Sequence, residues 1–354
     1  MNILGIDTSC DDTSAAVVAD GRKVLASIVN SQIKLHQPHG GVVPELASRE
    51  HIGNISSVVE EALTTAKIGM REVDGIAVTI GPGLIGSLLV GLYYAKAMAY
   101  VHHIPFIGIN HLEGHILSIF LEDRVPSFPF VVLTVSGGHT SLYHVEDFGR
   151  YRLMGQTLDD AAGEAFDKVA KMLGLGYPGG AVIEKLALSG NKDKVPFPRI
   201  FLAPGSLDFS FSGLKTAVSL YLKKWSESEE EQARVERVDI AASFQAAVIE
   251  VLVQKIIAAR ELTGVSSMVI AGGVACNKAL RGGLEDAATG KGLRVYYPRP
   301  AYCTDNGAMI AVAGYHRIIH GERADLDTDV RSKLAIENLV SHVSEGGSDP
   351  PPSS

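Results

Sequence analysis

One pattern occurs twice in this chain and restricts its fold more than any other feature. Asn2 to Ile6 and Ser14 to Val18 read as strands joined by Thr8-Ser9-Cys10-Asp11-Asp12-Thr13, a hairpin with a polar tip. Val131 to Val135 and Ser141 to Val145 repeat it around Ser136-Gly137-Gly138-His139-Thr140. Each half also carries a strand, a glycine loop and a helix. In the first half these are Gly75 to Ile80, Gly81-Pro82-Gly83 and a helix from Leu84. In the second they are Ser267 to Ala271, Gly272-Gly273-Val274-Ala275-Cys276-Asn277 and a helix from Lys278. Two similar runs of strands and helices imply an α/β fold built from two related halves. A length of 354 residues suits two domains.

With 46% hydrophobic and 20% charged residues, the chain is too apolar to be disordered over most of its length. The longest apolar run, Leu84 to Val101, contains Lys96, Gly86 and Gly91 and follows Pro82, so it reads as a buried helix rather than a membrane span. Pro44 opens a further helix to Ala66, Ser226 to Glu236 reads as a solvated stretch, and Ile240 to Leu262 as an apolar helix. The tail, 343–354, is expected to be disordered. Met1 to Asp7 shows no secretory signal pattern, and Cys10, Cys276 and Cys303 form no CxxC pair, which suits a reducing cytoplasm. A net charge of −8 does not favour a polyanion, so any nucleic acid has to be held by a local basic face or a helper subunit.

Asn110-His111-Leu112-Glu113-Gly114-His115 places two imidazoles four residues apart, on one face of a helix, where they can clamp a metal ion. Glu113 lies between them, pointing away from that face, where neither HExxH nor HxxEH peptidases place their base. The competing reading is a surface helix with two unrelated histidines. Asp305, ahead of an apolar helix from Ala308, is the candidate third ligand, with simple helix capping as its competitor. Two histidines and a carboxylate leave coordination positions open and suit Fe(II) or Zn(II). Ser136-Gly137-Gly138, Pro178-Gly179-Gly180 and Gly272-Gly273 let backbone N–H groups approach an anion and together suggest a nucleotide between the halves. Asp167 is a candidate partner for a ribose, Glu184 a weaker one, with ordinary surface charge as the alternative. His36, His39, Glu45, Arg49 and His51 form a polar cluster with no assigned role.

These motifs resemble those of one family, the catalytic subunit of tRNA threonylcarbamoyladenosine synthesis, called TsaD in bacteria and once described as a glycoprotease. The resemblance rests on Gly5 to Thr13, His39 to Arg49, Asn110 to His115, Val135 to Thr140, Ala162 to Lys168, Asp208 to Thr216, Gly272 to Asn277 and Thr304 to Met309, in order along the chain. It implies an actin-like, Hsp70-like (ASKHA) duplicated fold with a nucleotide cleft between two domains, 1–110 and 111–331, a segment near 305–331 packing back on the first. The implied reaction moves a threonylcarbamoyl group from threonylcarbamoyl-adenylate to the exocyclic amine of the adenosine 3′ of the anticodon, in tRNAs reading codons that begin with A, and releases AMP. His111, His115 and Asp305 become ligands of one divalent metal, Fe(II) favoured over Zn(II), and through it the catalytic residues. Thr134, Val135, Ser136, Gly137, Gly138, Asp167, Gly180, Glu184 and Asn277 become the adenylate-binding residues.

Implied partners are an inactive paralogous subunit of TsaB type, docked on the N-terminal domain, and a small P-loop ATPase of TsaE type. The implied location is the cytoplasm, with no membrane. Asp12 stands where many bacterial members have Glu. Thr134 and His139 stand where the archaeal and eukaryotic branch has a Tyr ligand and an Asn, so the bacterial branch fits better. The rival readings are a metallopeptidase, tested by glycoprotein cleavage, a sugar or acetate kinase, tested by phosphoryl transfer, and a nucleotide-gated scaffold. Retention of His111, His115 and Asp305 argues against the last.

Overall fold

The computed structural model describes residues 1–336, so the tail expected to be disordered lies outside the described residues. The first half runs β1 (Asn2–Asp7), β2 (Asp12–Ala19), β3 (Lys23–Ser31), α1 (Ile33–His36), α2 (Pro44–Ala66), β4 (Gly75–Gly81), α3 (Ile85–His102), β5 (Phe106–Asn110) and α4 (His111–Leu117). The second opens with β6 (Phe130–Val135), β7 (Thr140–Asp147), β8 (Arg150–Gln156), α5 (Ala162–Met172), α6 (Gly179–Ala187), α7 (Ser212–Ser226), α8 (Glu229–Arg234) and α9 (Arg237–Thr263). It closes with β9 (Ser267–Ala271), α10 (Lys278–Ala288), β10 (Arg294–Tyr296), α11 (Pro300–Cys303) and α12 (Gly307–Ile319).

The duplication is explicit in the strand order. One sheet runs β3-β2-β1-β4-β5, the other β8-β7-β6-β9-β10. In each, a three-stranded antiparallel meander carries two parallel strands beside its first strand. Both sheets are apolar on both faces, as strands covered by helices must be. Leu4, Ile6, Ala15 and Val17 pack outward with Ile55, Val58 and Leu92 of α2 and α3. Ile3, Ala16 and Val18 face inward, into a cluster shared with α12 and with Val132, Tyr143 and Val269 of the second sheet. The far face of that sheet, through Val131, Leu133 and Ile270, packs on Phe166, Phe244, Val248 and Leu252.

Two glycines bring α12 onto β1. A Cβ at Gly5 would collide with the Gly307 carbonyl oxygen and stand 2.6 Å from the Ala311 nitrogen. One at Gly307 would stand 2.6 Å from both the Ala16 nitrogen and the Gly5 oxygen. This contact seats the residues just ahead of α12 at the end of β1.

α3 is buried along one face only. Leu88, Leu92 and Ala95 are buried, as expected of a buried helix, whereas Tyr93, Tyr100 and Val101 on its other face are 62%, 69% and 67% exposed. Among the described residues α9 is the helix long and apolar enough to cross a membrane, and 67% of its most apolar window is buried in this fold, so it is a core helix. The stretch read as solvated holds the short helix α8.

Between β8 and α5, Asp159 accepts the Phe211 and Ser212 N–H groups at 2.8 and 3.3 Å, and Asp160 accepts Lys168 and Lys215 at 2.7 Å each. Burial works against the Asp160 charge, but its two lysine hydrogen bonds hold its pKa below the ordinary carboxylate value. A carboxyl depressed by folding adds stability above its unfolded pKa of about 3.9 and loses it as pH falls through the folded value. Asp160→Asn is therefore expected to cost on the order of 1 kcal/mol at pH 7 in urea unfolding, kept modest by the exposure of Lys168. The difference should shrink below pH 4, so an equal cost at pH 3 contradicts the assignment.

Candidate metal centre

The site forms where three chain segments end together. β1 ends at Asp7 and β5 at Asn110, whose Oδ1 caps α4 by accepting Leu112 N–H at 2.8 Å and Glu113 N–H at 3.3 Å. Starting the helix at once puts His111 in its first position and His115 one turn on, on the same side. On the far side Asn306 caps α12, accepting Met309 N–H at 2.9 Å. The capping role that competed for Asp305 thus belongs to its neighbour, and the Asp305 carboxylate is left for the histidines.

Asp305 Oδ1 lies 3.4 Å from His111 Nε2 and 3.1 Å from His115 Nε2. Neighbouring donors on a four- to six-coordinate ion with bonds of about 2.1 Å stand about 3.0–3.4 Å apart, so this donor set fits a divalent cation. The candidate ligand atoms of the three residues all lie within 4.8 Å of one another. Behind His111, Asp7 Oδ2 sits 3.3 Å from Nδ1 and Ser9 Oγ 3.1 Å from the same nitrogen. A carboxylate there orients the ring and raises its basicity, the usual support for a ligating imidazole.

Burial disfavours a charged His111, yet the Asp305 and Asp7 carboxylates outweigh it and lift its pKa to about 10. Burial likewise opposes ionisation of Asp305, but His111 and His115 hold it well below the ordinary value. Burial, with help from Asp305, Asp11 and Asp7, pushes Asp12 up to about 7 despite a hydrogen bond from Ser31. A bound cation would relieve this excess of buried carboxylate.

Glu113 does point away from the metal face, but it is buried at 1% exposure rather than idle. Arg317 of α12 donates to its two oxygens at 2.9 and 3.0 Å, Tyr151 donates at 2.9 Å, and Arg317 reaches Glu322 at 2.8 Å. Its carboxylate ties α4 to α12 and β8, which removes it as a peptidase base.

Beside His111, His115 and Asp305 lies the Ser136-Gly137-Gly138 loop. Gly163 N–H, at the start of α5, donates to Ser136 O at 3.2 Å, while Gly137 and Gly138 have open space where a Cβ would stand. His139 closes the loop, its pKa pushed to about 4 by burial and then by the charges of His111 and His115. Thr134 donates to Ser141 O at 3.2 Å and Val135 is fully buried, so both turn their side chains into the sheet. Gly180 faces open space.

The remaining polar candidates brace loops. Asp167 accepts Gly179 N–H at 2.6 Å, Glu184 accepts Lys278 N–H at 2.7 Å, and Asn277 caps α10 through Leu280 N–H at 3.0 Å. Asn277 also donates to Gln245 at 2.8 Å. Gln245, Tyr151 and Arg317 carry no motif, and sequence reasoning missed them; Asp7 lies inside the Gly5 to Thr13 motif, which does not disclose its contact with His111. In the unassigned cluster, His51 meets Thr13 Oγ1 at 2.7 Å and Cys10 O at 3.0 Å, and His36 meets Gln32 at 3.1 Å. Both are buried supports of the first hairpin loop.

Comparison with known proteins bears on this geometry. A family model described as TsaD, tRNA N6-adenosine threonylcarbamoyltransferase, matches residues 23–312. Proteins of that name from Geobacter sp. (strain M21) and Desulfitobacterium hafniense (strain Y51) are similar at 51% and 55% identity. The first match covers 98% of this chain and 99% of the relative, the second 92% and 94%. Among solved structures, full-length HypF in its phosphate- and nucleotide-bound form aligns with TM-score 0.60 at 15% identity, over 91% of this chain and 56% of that one. Component A of the Acidaminococcus fermentans (R)-2-hydroxyglutaryl-CoA dehydratase aligns with TM-score 0.53 at 16% identity, over 90% and 99%. At such identities the likeness is one of fold, the duplicated actin-like architecture.

Proposed function

The chain belongs to the TsaD family of tRNA N6-adenosine threonylcarbamoyltransferases, enzymes of tRNA modification, and from that premise we propose how its cleft performs the transfer. The donor is threonylcarbamoyl-adenylate and the acceptor the exocyclic amine of the adenosine 3′ of the anticodon. The amine nitrogen bonds to the carbamoyl carbon, the bond from that carbon to the phosphate oxygen breaks, AMP departs and the amine proton passes to solvent. One observation supports this most: two imidazole nitrogens and a carboxylate oxygen converge beside an open glycine loop.

His111, His115 and Asp305 hold the divalent ion, Fe(II) by preference and Zn(II) as the alternative, since a mixed nitrogen and oxygen set suits both. That ion supplies Lewis-acid polarisation of the carbonyl under attack. The backbone of Thr134 to Gly138 and the N-terminus of α5 receive the phosphate, where N–H groups and the helix dipole favour an anion. Gly180 and Asn277 line the adenylate, while Asp167 and Glu184 hold the loops that carry them. The donor is already activated, so positioning and charge stabilisation suffice without a covalent enzyme intermediate.

The two domains are 1–110 and 111–331, with α12 returning to the first sheet. The working assembly includes an inactive paralogous subunit on the N-terminal domain and a small P-loop ATPase, in the cytoplasm. A subunit of net charge −8 gains most from such help in holding tRNA.

The test combines this protein, both partner subunits, threonylcarbamoyl-adenylate and unmodified tRNA, with nucleosides read by mass spectrometry. Modified adenosine is the expected product, and its absence beside active partners overturns the reading. Asn277→Ala should raise KM for the adenylate about tenfold with a smaller change in kcat, the equivalent of about 1.4 kcal/mol of lost uniform binding. An unchanged KM removes Asn277 from the binding surface.

A further inference from the structure

We propose that residues 324–336 form a strap whose docking is coupled to metal binding, with Asn110 as the positioning residue between the two. The proposal rests on the metal reading of His111, His115 and Asp305. Beyond α12 the strap follows the edge strand β5 and then crosses the end of β4. Ala324 N–H donates to Phe106 O at 2.8 Å, Arg331 N–H donates to Ile80 O at 2.8 Å, and Ser332 O accepts Gly83 N–H at 3.2 Å. Leu334 and Ile336 are buried at its far end. Lys96, the one lysine, arginine or carboxylate of α3, donates to Thr328 O at 2.5 Å, so the cation inside this apolar helix serves the strap. Gly81 passes so near that a Cβ there would collide with the Arg331 carbonyl oxygen.

Two routes lead from the strap to His111. The first is the Asn110 side chain, which is fully buried and engaged at both ends. Its Nδ2 donates to Leu334 O at 2.9 Å, while its Oδ1 accepts the Leu112 and Glu113 N–H groups that open α4. One amide thus holds the strap by its nitrogen and the histidine helix by its oxygen. When the strap lifts, a buried donor loses its acceptor, and the amide satisfies it only by turning at the expense of the cap. The second route runs through the loop ahead of α3. Gly83, bonded to Ser332, precedes Leu84, whose N–H donates to Ser9 O at 2.8 Å, and Ser9 Oγ lies 3.1 Å from His111 Nδ1. A Cβ at Gly83 would stand 2.6 Å from Ser9 O, so this route has no slack. A metal ion that binds best when α4 is held by the docked strap favours that state. By linkage, docking raises metal affinity by the factor by which metal stabilises docking.

The experiment uses Zn(II) as the probe and trypsin as the reporter. Arg331 and Lys333 are exposed trypsin sites within the strap, and cleavage there measures how often it lifts. Full-length protein stripped by a chelator is digested with and without saturating Zn(II), and the fragments are timed by mass spectrometry. Zn(II) should slow cleavage after Arg331 and Lys333 about tenfold, an ordinary size for coupled sites, while cleavage after Lys223 and Lys224 at the end of α7 stays the same. The reciprocal measurement titrates Zn(II) against a chromophoric chelator. A chain ended after Ile336 should bind as the full-length protein does, and one ended after Asp329 about tenfold more weakly.

Loss of the buried Leu334 and Ile336 also lowers the stability of the shortened chain, so Asn110→Ser isolates the coupling. Serine keeps a capping oxygen for α4 but has no amide to reach Leu334 O. This variant should keep the wild-type circular dichroism, bind Zn(II) more weakly and lose most of the protection that Zn(II) gives the strap. A purely structural role for Asn110 would leave that protection in place. Strap cleavage that ignores bound Zn(II), or an Asn110→Ser strap protected as strongly as the wild type, overturns the proposal while leaving the metal reading intact. A stripped protein that binds no Zn(II), or binds it equally well as Asp305→Ala, refutes the metal reading and the coupling with it.

Discussion

Asp305→Ala is expected to release the metal and to lower threonylcarbamoyl transfer by about two to four orders of magnitude, since Lewis-acid stabilisation contributes several kcal/mol and each 1.4 kcal/mol is tenfold. The carboxylate oxygen bridges both His Nε2 atoms, so removing it takes away one ligand and the charge that draws His111 and His115 together. The fold should survive, because Asn306 rather than Asp305 caps α12. Elemental analysis of the purified variant, transfer rate and circular dichroism together check this. Asp305→Asn separates charge from shape: it keeps an oxygen in place but weakens ion binding, and its rate should fall between the other two. A variant that keeps a stoichiometric metal and wild-type turnover refutes the ligand assignment.

Glu113→Ala is expected to destabilise the protein by about 3–5 kcal/mol, the cost of stranding a buried charge, read as a lower urea midpoint at unchanged slope. Arg317 is 7% exposed and would keep only part of its compensation, through Glu322. Tyr151 would lose its buried acceptor as well. The interpretation depends on a second variant. If the loss comes from the stranded guanidinium, Glu113→Leu combined with Arg317→Met should recover most of the stability, because an apolar pair of similar volume needs no partner. A double variant as unstable as the single one would place the effect in packing instead. Since α4 carries both histidines, the single variant should also bind metal more weakly, and the double variant should regain part of that affinity.

What the sequence discloses about this fold is what depends on local rules. Ser267 to Ala271 and the helix start at Lys278 are read to the residue, because an apolar run, a glycine loop and a capping Asn mark them locally. The paired histidines His111 and His115 are legible because helix periodicity alone aligns residues four apart. The third ligand is harder, since a carboxylate ahead of a helix looks the same whether it caps or binds; only the structure hands the cap to Asn306. Pairings across long stretches of chain leave no local trace. Arg317 meets Glu113 across 204 positions, and Asp7 backs His111 from a strand two places away at the same end of the sheet. The apolar run of α3 is only half legible, for a different reason. Composition reports that a helix avoids water, not whether it does so inside its own fold or against something else, and Tyr93 and Tyr100 stand outside.

The glycine contact between β1 and α12 also sets an order in time. The inner face of a sheet made from the first 110 residues is covered by a helix made from residues 307–319. Domains that emerge first from the ribosome ordinarily fold first. Here the early sheet keeps Ile3, Ala16 and Val18 uncovered until synthesis is nearly complete, and Asp305 arrives on the same segment as the helix that covers them. Closure of the hydrophobic interior and completion of the His111-His115-Asp305 cluster therefore depend on the same late segment, and a chain stalled before residue 305 lacks both.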